Sequence, residues 1–395
     1  MSKWIDLEAK YYMKTFRRLP VVLVRGEGAR VWDEDGKCYL DMVAGLAVNI
    51  LGHAHPAVVE AITSQARKLI HTTNLYYTIP QLEAAELLIE HSCADRVFFG
   101  NSGAEANEGA IKLARKYGSL HRHGAYEVIS VENSFHGRTL TTLAATGQRK
   151  FQDPFAPMPE GFKIVPFNDL AALQQATSEK TCAVMLEVVQ GESGVHLADG
   201  EYLRDVRRWC DEQNLLLIFD EIQTGMGRTG KFLAYEHYGV EPDVFTLAKG
   251  LAGGVPIGAV LAKESAAVFG PGDHGSTFGG NPLATAASAA TLRTLFAEDL
   301  PARAARVGAY LLQALKRLEA KYPCLENARG LGLMAAVDFK SDVAGKAVQE
   351  ALAKGLILNN TSARTIRMLP PLIISEAEVD EAISILEAII PAIAS

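Results

Sequence analysis

Leu215-Leu216-Leu217-Ile218-Phe219-Asp220 and Asp243-Val244-Phe245-Thr246-Leu247-Ala248-Lys249-Gly250 decide the fold. Each is a short apolar run that ends on a charged residue. Runs with so few polar interruptions predict strands covered on both faces, as in parallel sheets flanked by helices. The same pattern continues outward. Upstream, Cys182–Val188 reads as a strand and Tyr202–Gln213 as the helix that returns the chain to Leu215. Further out, Arg96–Phe99 and Glu127–Val131 read as strands with the helix Ala104–Tyr117 between them, and Ala259–Ala262 closes the set. Strands alternating with helical patterns predict an α/β fold with a doubly wound, mostly parallel sheet.

The two ends of the chain read differently. Val21–Val24 and Arg30–Asp33 flank Gly26 and Gly28, a hairpin pattern. Amphipathic helices are predicted over Ala286–Phe296, Ala302–Lys321 and Glu376–Ile390. The expected organisation is a large domain over 51–285 and a smaller α+β domain built from 1–50 and 286–395. A chain of 395 residues can bury two such cores.

In open α/β sheets, ligands bind beyond the carboxyl ends of the strands. Asp220 ends one such strand, and burying a carboxylate there requires a cation or a hydrogen-bonding role. A protonated ring nitrogen of a cofactor would serve, and so would capping of the next segment. Gln223, three residues on, could reach a ring hydroxyl or simply face solvent. Lys249 ends the next strand; desolvation would give it the neutral amine needed to attack a carbonyl. Asn101-Ser102-Gly103-Ala104-Glu105 follows the strand Arg96–Phe99. Its small residues and unpaired N–H groups suit a phosphate, although simple helix capping explains the same residues. Phe135 could stack on a flat ring and Arg138 could grip a carboxylate. Glu187, Gln190 and Glu192 follow the strand that begins at Cys182, and a carboxylate here suggests an arginine to neutralise, for which Arg367 is the candidate.

Other chemistries fit less well. Gly225-Met226-Gly227-Arg228-Thr229-Gly230 matches the dinucleotide fingerprint G-x-G-x-x-G. A working fingerprint follows a strand directly and opens a helix, whereas here Glu221–Thr224 intervene and no helical pattern follows. His53/His55 and His121/His123 lack a third ligand at metal spacing, so no metal site is expected. The net charge is −7 with both signs interspersed, unlike a nucleic-acid footprint. The five cysteines are scattered, which points to a reducing, cytoplasmic setting. No signal peptide or membrane-spanning run is read.

Together these residues resemble the class III aminotransferases. The resemblance runs from Gly28–Asp41 through Leu51–Pro56, Asn101–Asn107 and Phe219–Gly230 to Ser276–Leu283. Within the class, the compact length and Gly45–His53 are most similar to the branch that acts on N-acetylornithine. The resemblance implies an aspartate-aminotransferase-like fold and the cofactor pyridoxal 5'-phosphate, bonded to Lys249. It places Asp220 at the pyridine nitrogen, Gln223 at the ring hydroxyl, Phe135 on the ring, and Ser102, Gly103 and Ala104 at the phosphate. It places Thr277, with Ser276 beside it, near the phosphate of a second subunit's cofactor, hence a homodimer. Arg138, Glu192, Arg367 and Ser276 would meet the two substrates, an amino donor and 2-oxoglutarate. One departure is Val188, where many members have proline after the glutamate.

Overall fold

The computed structural model describes residues 2–393; Met1, Ala394 and Ser395 lie outside the described residues. Near the N-terminus β1 (Leu23–Glu27), β2 (Arg30–Asp33) and β3 (Cys38–Asp41) form an antiparallel meander. The middle of the chain supplies β4 (Arg96–Gly100), β5 (Glu127–Val131), β6 (Phe162–Val165) and β7 (Thr181–Leu186). A small hairpin follows, β8 (Val189–Gln190) and β9 (His196–Leu197). Then come β10 (Leu216–Asp220), β11 (Val244–Leu247) and β12 (Gly258–Ala262). The C-terminal part holds β13 (Leu325–Leu331), β14 (Met334–Phe339), β15 (Leu356–Ile357), β16 (Asn359–Asn360) and β17 (Thr365–Met368).

The central sheet has seven strands in the order β4-β12-β11-β10-β7-β5-β6. Alternation along β10 explains its burial. Leu215, Leu217 and Phe219 enter one apolar core, while Leu216 and Ile218 enter another on the opposite face. That is the period of two expected of a strand, with both faces covered. The sheet is mixed: β12 runs antiparallel to both β11 and β4. Apolar periodicity carries no direction, so this reversal was not readable beforehand. It matters, because β12 begins at the edge where its neighbours end, and so adds Gly254–Ile257 to that edge.

Helices start where local chemistry allows. Ser102 accepts a bond from Glu105 N (3.2 Å) and opens Gly103–His121. Asp199 accepts from the N–H groups of Glu201 and Tyr202 and opens Gly200–Glu212. Asn281 caps Pro282–Ala297, with proline at the first position, where its missing N–H costs nothing. At the periphery, β3 pairs in parallel with β15, so the two ends of the chain share one sheet. A second outer sheet, β13-β14-β17-β16, carries Arg367 on β17.

The glycine-rich stretch 225–230 forms turns rather than a helix, with Gly227 and Gly230 at φ of 85° and 97°. His53 pairs with Asp41 at 2.7 Å, and His55 accepts a bond from Ala57 N at the start of a helix. No cluster of three or more metal-ligating side chains occurs among the described residues. No helix there is long and apolar enough to cross a membrane.

Candidate active site

A cavity of about 440 Å³ opens at the carboxyl edge of the central sheet. The turns after β4, β5 and β11 contribute Ser102, Phe135 and Lys249 to its wall, the end of β10 contributes Asp220, the β8–β9 hairpin contributes Glu192, and the segment leading into β12 contributes Ile257. Residues spread over 155 positions of sequence thus meet because all but Glu192 lie at or close to the end of a strand of the central sheet.

Asp220 is nearly fully buried, and its oxygens are held from three sides. Oδ2 accepts from Asn107 Nδ2 at 2.7 Å and lies 2.8 Å from His136 Nδ1; Oδ1 accepts from Ile222 N at 3.1 Å. Asn107 is fixed in turn by the Thr246 hydroxyl (2.8 Å) and by the His136 carbonyl (2.7 Å). Such a set satisfies both oxygens of a carboxyl group that burial removes from water. Glu187 lies in the same wall and receives N–H bonds from Phe135 (3.0 Å) and Gly191 (3.3 Å). Burial pushes its carboxyl up to about 7, with the charge of Asp220 adding to the shift and His136 opposing it.

Lys249 sits two residues beyond β11 with φ of 38°, a left-handed conformation that costs a non-glycine residue roughly 1–2 kcal/mol. Strain of this kind persists where surrounding structure dictates it, and it is concentrated at functional sites. Burial lowers the pKa of the Lys249 amine below the ordinary lysine value; Glu192, 3.9 Å away, opposes the shift and Arg367 adds to it.

Glu192 and Arg367 meet at 2.9 Å. Burial would raise the Glu192 carboxyl, but Arg367 and Lys249 outweigh it and hold it at about 2. The Arg367 guanidinium is 1% exposed and also donates to Gly191 O, Gln223 Oε1 and Asn359 Oδ1 at 2.8–3.1 Å. Gln223 has both ends of its amide engaged, since Nε2 donates to Glu192 at 2.9 Å. A Cβ on Gly191 would fall 2.0 Å from Gln223 Oε1, so only glycine lets this triad close.

At the other end of the cavity, the helix from Gly103 leaves the N–H groups of Gly103 and Ala104 without intrahelical partners. A Cβ on Gly103 would meet Ile222 at 2.8 Å. Glu105 reaches back to Asn101 N (2.7 Å) rather than to the capping residue, which stiffens the turn. Phe135 and Arg138 line the cavity. Arg138 is exposed, and its guanidinium lies 4.0 Å from the Phe151 ring centre and 5.4 Å from that of Phe135.

Four of the residues singled out from sequence do not line this cavity: Arg367 meets it through Glu192 and Gln223, Gln190 donates to Glu132 O at 2.8 Å, and Ser276 and Thr277 lie to one side. Ser276 accepts from Asn101 Nδ2 at 3.0 Å, and Thr277 lies in a neighbouring depression with His71, Asn74 and Gln81. The adjoining surface is apolar and open: Tyr76, Tyr77, Ile79 and Phe278 are all exposed. Asn107, His136, Phe151 and Asn359 were not singled out. Asn107 and His136 each flank a motif that was read, and their burial beside Asp220 is a tertiary property; Phe151 and Asn359 carried no signal.

The class III aminotransferase family model matches residues 11–390. The chain is 53% identical to an acetylornithine aminotransferase from Caldanaerobacter subterraneus subsp. tengcongensis, over 98% of both proteins. It is 54% identical to one from Methanocaldococcus jannaschii, again over 98% of both. Among solved structures, an ornithine aminotransferase from Toxoplasma gondii superimposes with a TM-score of 0.94 at 36% identity, covering 99% of this chain and 94% of that one, and was found with pyridoxal phosphate at partial occupancy. With a lysine, a buried carboxylate and a helix N-terminus around one cavity, and a family match over nearly its whole length, the chain belongs to the class III aminotransferases, enzymes that depend on pyridoxal phosphate.

Proposed function

We propose that the enzyme transfers the side-chain amino group of N-acetylornithine to 2-oxoglutarate, giving N-acetylglutamate 5-semialdehyde and glutamate. One observation carries this reading: Arg138 lines the cavity with Lys249, and Arg367 pairs with Glu192, which lies 3.9 Å from Lys249, so two arginines in opposite states serve one site. Arg367 is buried and neutralised by Glu192, whereas Arg138 is exposed and has no hydrogen bond or ion pair among the described residues. Such a site can take one carboxylate at rest and a second when Glu192 leaves. The two relatives described above, at 53% and 54% identity, carry the acetylornithine name.

The residues present fit pyridoxal phosphate. The N–H groups of Ser102, Gly103 and Ala104 would receive its phosphate, Phe135 would face its ring, and Asp220 would pair with the ring nitrogen. When bound, the cofactor supplies a ring that withdraws electrons from the amine-bearing carbon of the substrate. Lys249 Nζ, whose hold on a proton burial weakens, is the group placed to take the proton from that carbon and later return one. Gln223 makes one bond at each end of its amide, to Glu192 and from Arg367, and keeps a second N–H and a second lone pair with which to reach a ring hydroxyl.

The donor has one carboxylate, and its α-amine is blocked by the acetyl group. Arg138 binds that carboxylate, and Glu192 stays on Arg367, so no buried cation is left unpaired. The acceptor has two carboxylates. Its side-chain carboxylate binds Arg138, and its α-carboxylate displaces Glu192 from Arg367.

Thr277 and Ser276 serve a neighbouring subunit in a homodimer, a reading supported by the exposed apolar surface beside them. Residues 1–50 and 286–395 act as one unit around 51–285, as the β3–β15 pairing favours. A cytoplasmic setting suits five cysteines that are all free. The test is a panel of donors (N-acetylornithine, N-succinylornithine, ornithine, 4-aminobutyrate) with 2-oxoglutarate as acceptor. N-Acetylornithine is expected to show the highest kcat/KM, and a higher value for any other donor overturns the substrate assignment.

A further inference from the structure

Arg138 is the one cavity arginine that no carboxylate or carbonyl holds among the described residues, and a long exposed side chain left free would lose its aim through rotamer entropy. What fixes it is aromatic. Its guanidinium lies 4.0 Å from the centre of the Phe151 ring, and that ring stands edge-on to Phe135 at 6.3 Å and 83°. We propose that Phe151 is a specificity-determining positioning residue, a platform that aims Arg138 at the carboxylate of the amino donor; the inference rests on the donor reading above.

Phe151 is itself held in place by its neighbours. It belongs to a short helix, Arg149–Gln152, and its N–H bonds to Gln148 O at 3.0 Å. The Gln152 side chain donates to the carbonyls of Leu143 (3.0 Å), Ala144 (3.3 Å) and Thr146 (2.7 Å). The Gln148 side chain donates to Ser134 O at 3.1 Å, tying the helix to the turn that carries Phe135. The ring is half-buried, so its position is set by these bonds and not by the ligand. A guanidinium over an aromatic face is attracted to the ring's negative quadrupole and keeps its N–H groups free at the edge for a carboxylate. The Lys150 amine lies 4.9 Å from the same ring, so the face offers a second cation a place as well.

The experiment uses the holoenzyme and two donors that differ only in the carboxylate: N-acetylornithine and N-acetyl-1,4-diaminobutane. In the wild type, kcat/KM should favour the carboxylated donor. Phe151→Leu should raise KM for N-acetylornithine roughly tenfold, the range a partly desolvated cation–π contact supports. It should leave kcat within about twofold and kcat/KM for the second donor unchanged. Inhibition by glutarate should weaken in parallel. Phe151→Tyr and Phe151→Trp keep an aromatic face and should keep the preference, which a loss of packing alone does not predict. A wild-type preference that survives Phe151→Leu, or equal losses with both donors, overturns the proposal and leaves the donor reading standing. A wild type indifferent to the carboxylate overturns the role of Arg138, and the proposal with it.

Discussion

At the scale of single residues, the site works by charge neutralisation under burial. Arg367 is too deep to stand unpaired, so something anionic must always face it: Glu192 when the donor binds, a substrate carboxylate when the acceptor binds. With its carboxyl held at about 2, Glu192 remains ionised at every working pH. The pair therefore adds stability above pH 4.5 that is lost only as pH falls through about 2. Glu192→Ala should spare or improve the half-reaction with glutamate, since its α-carboxylate no longer has to displace anything. The half-reaction with N-acetylornithine should slow by about tenfold or more, because Arg367 is left buried and unpaired. Single-turnover kinetics on each half-reaction separate the two, and equal losses would exclude the exchange. The pairing of Glu192 with Arg367 was legible as two charges that needed each other. The partners of Asp220 were not, because Asn107 and His136 reach it from other elements and resemble ordinary core polar residues in sequence.

At the scale of elements, strand ends position nearly everything. The strands over 96–100, 127–131, 181–186, 216–220, 244–247 and 258–262 were legible because apolar runs of that length punctuated by glycine or charge have few alternatives. Phe162–Val165 was missed: it is an edge strand of four residues, one of them a lysine, and its pattern is too short to stand out. The reversal of β12 was hidden for a different reason, and it has a consequence for the phosphate turn. A Cβ on Gly258, the first residue of β12, would fall 2.1 Å from Ser102 O. The glycine lets the strand start directly beneath the turn that offers its N–H groups to the phosphate. Gly258→Ala should push that turn outward by several tenths of an ångström or more. The expected result is a folded protein with native far-ultraviolet circular dichroism whose affinity for pyridoxal phosphate, measured by titrating the apoenzyme, falls at least tenfold. Unchanged affinity would show that the turn can shift without loss of the anion site.

For the whole molecule, the same burial that prepares the cavity sets how stability depends on pH. Glu221 is fully buried behind the cavity wall, accepting from the Thr224 hydroxyl and from Tyr235 N (2.9 Å), with no cation within ion-pair distance among the described residues. Burial pushes its carboxyl up to about 7. A carboxyl raised in the folded state binds its proton more tightly there than in the unfolded chain. Its contribution is therefore complete below about 4.5 and is lost as pH rises through about 7. Glu187 is raised in the same way, so the two act in one direction over one window. Glutamine keeps the shape, still accepts from Tyr235, and lets the Thr224 hydroxyl rotate to accept in turn. Glu221→Gln should therefore match the wild type in Tm at pH 5, exceed it at pH 8, and flatten the decline between them without abolishing it. A variant whose Tm tracks the wild type across that range would mean that Glu221 ionises freely, and that water or a cation reaches it in solution. Glu187 offers no equally clean test, because it lines the cavity and is bonded to Phe135 N and Gly191 N in its wall. Changing it would alter stability and cofactor binding together, and only the position behind the wall isolates the cost of burial.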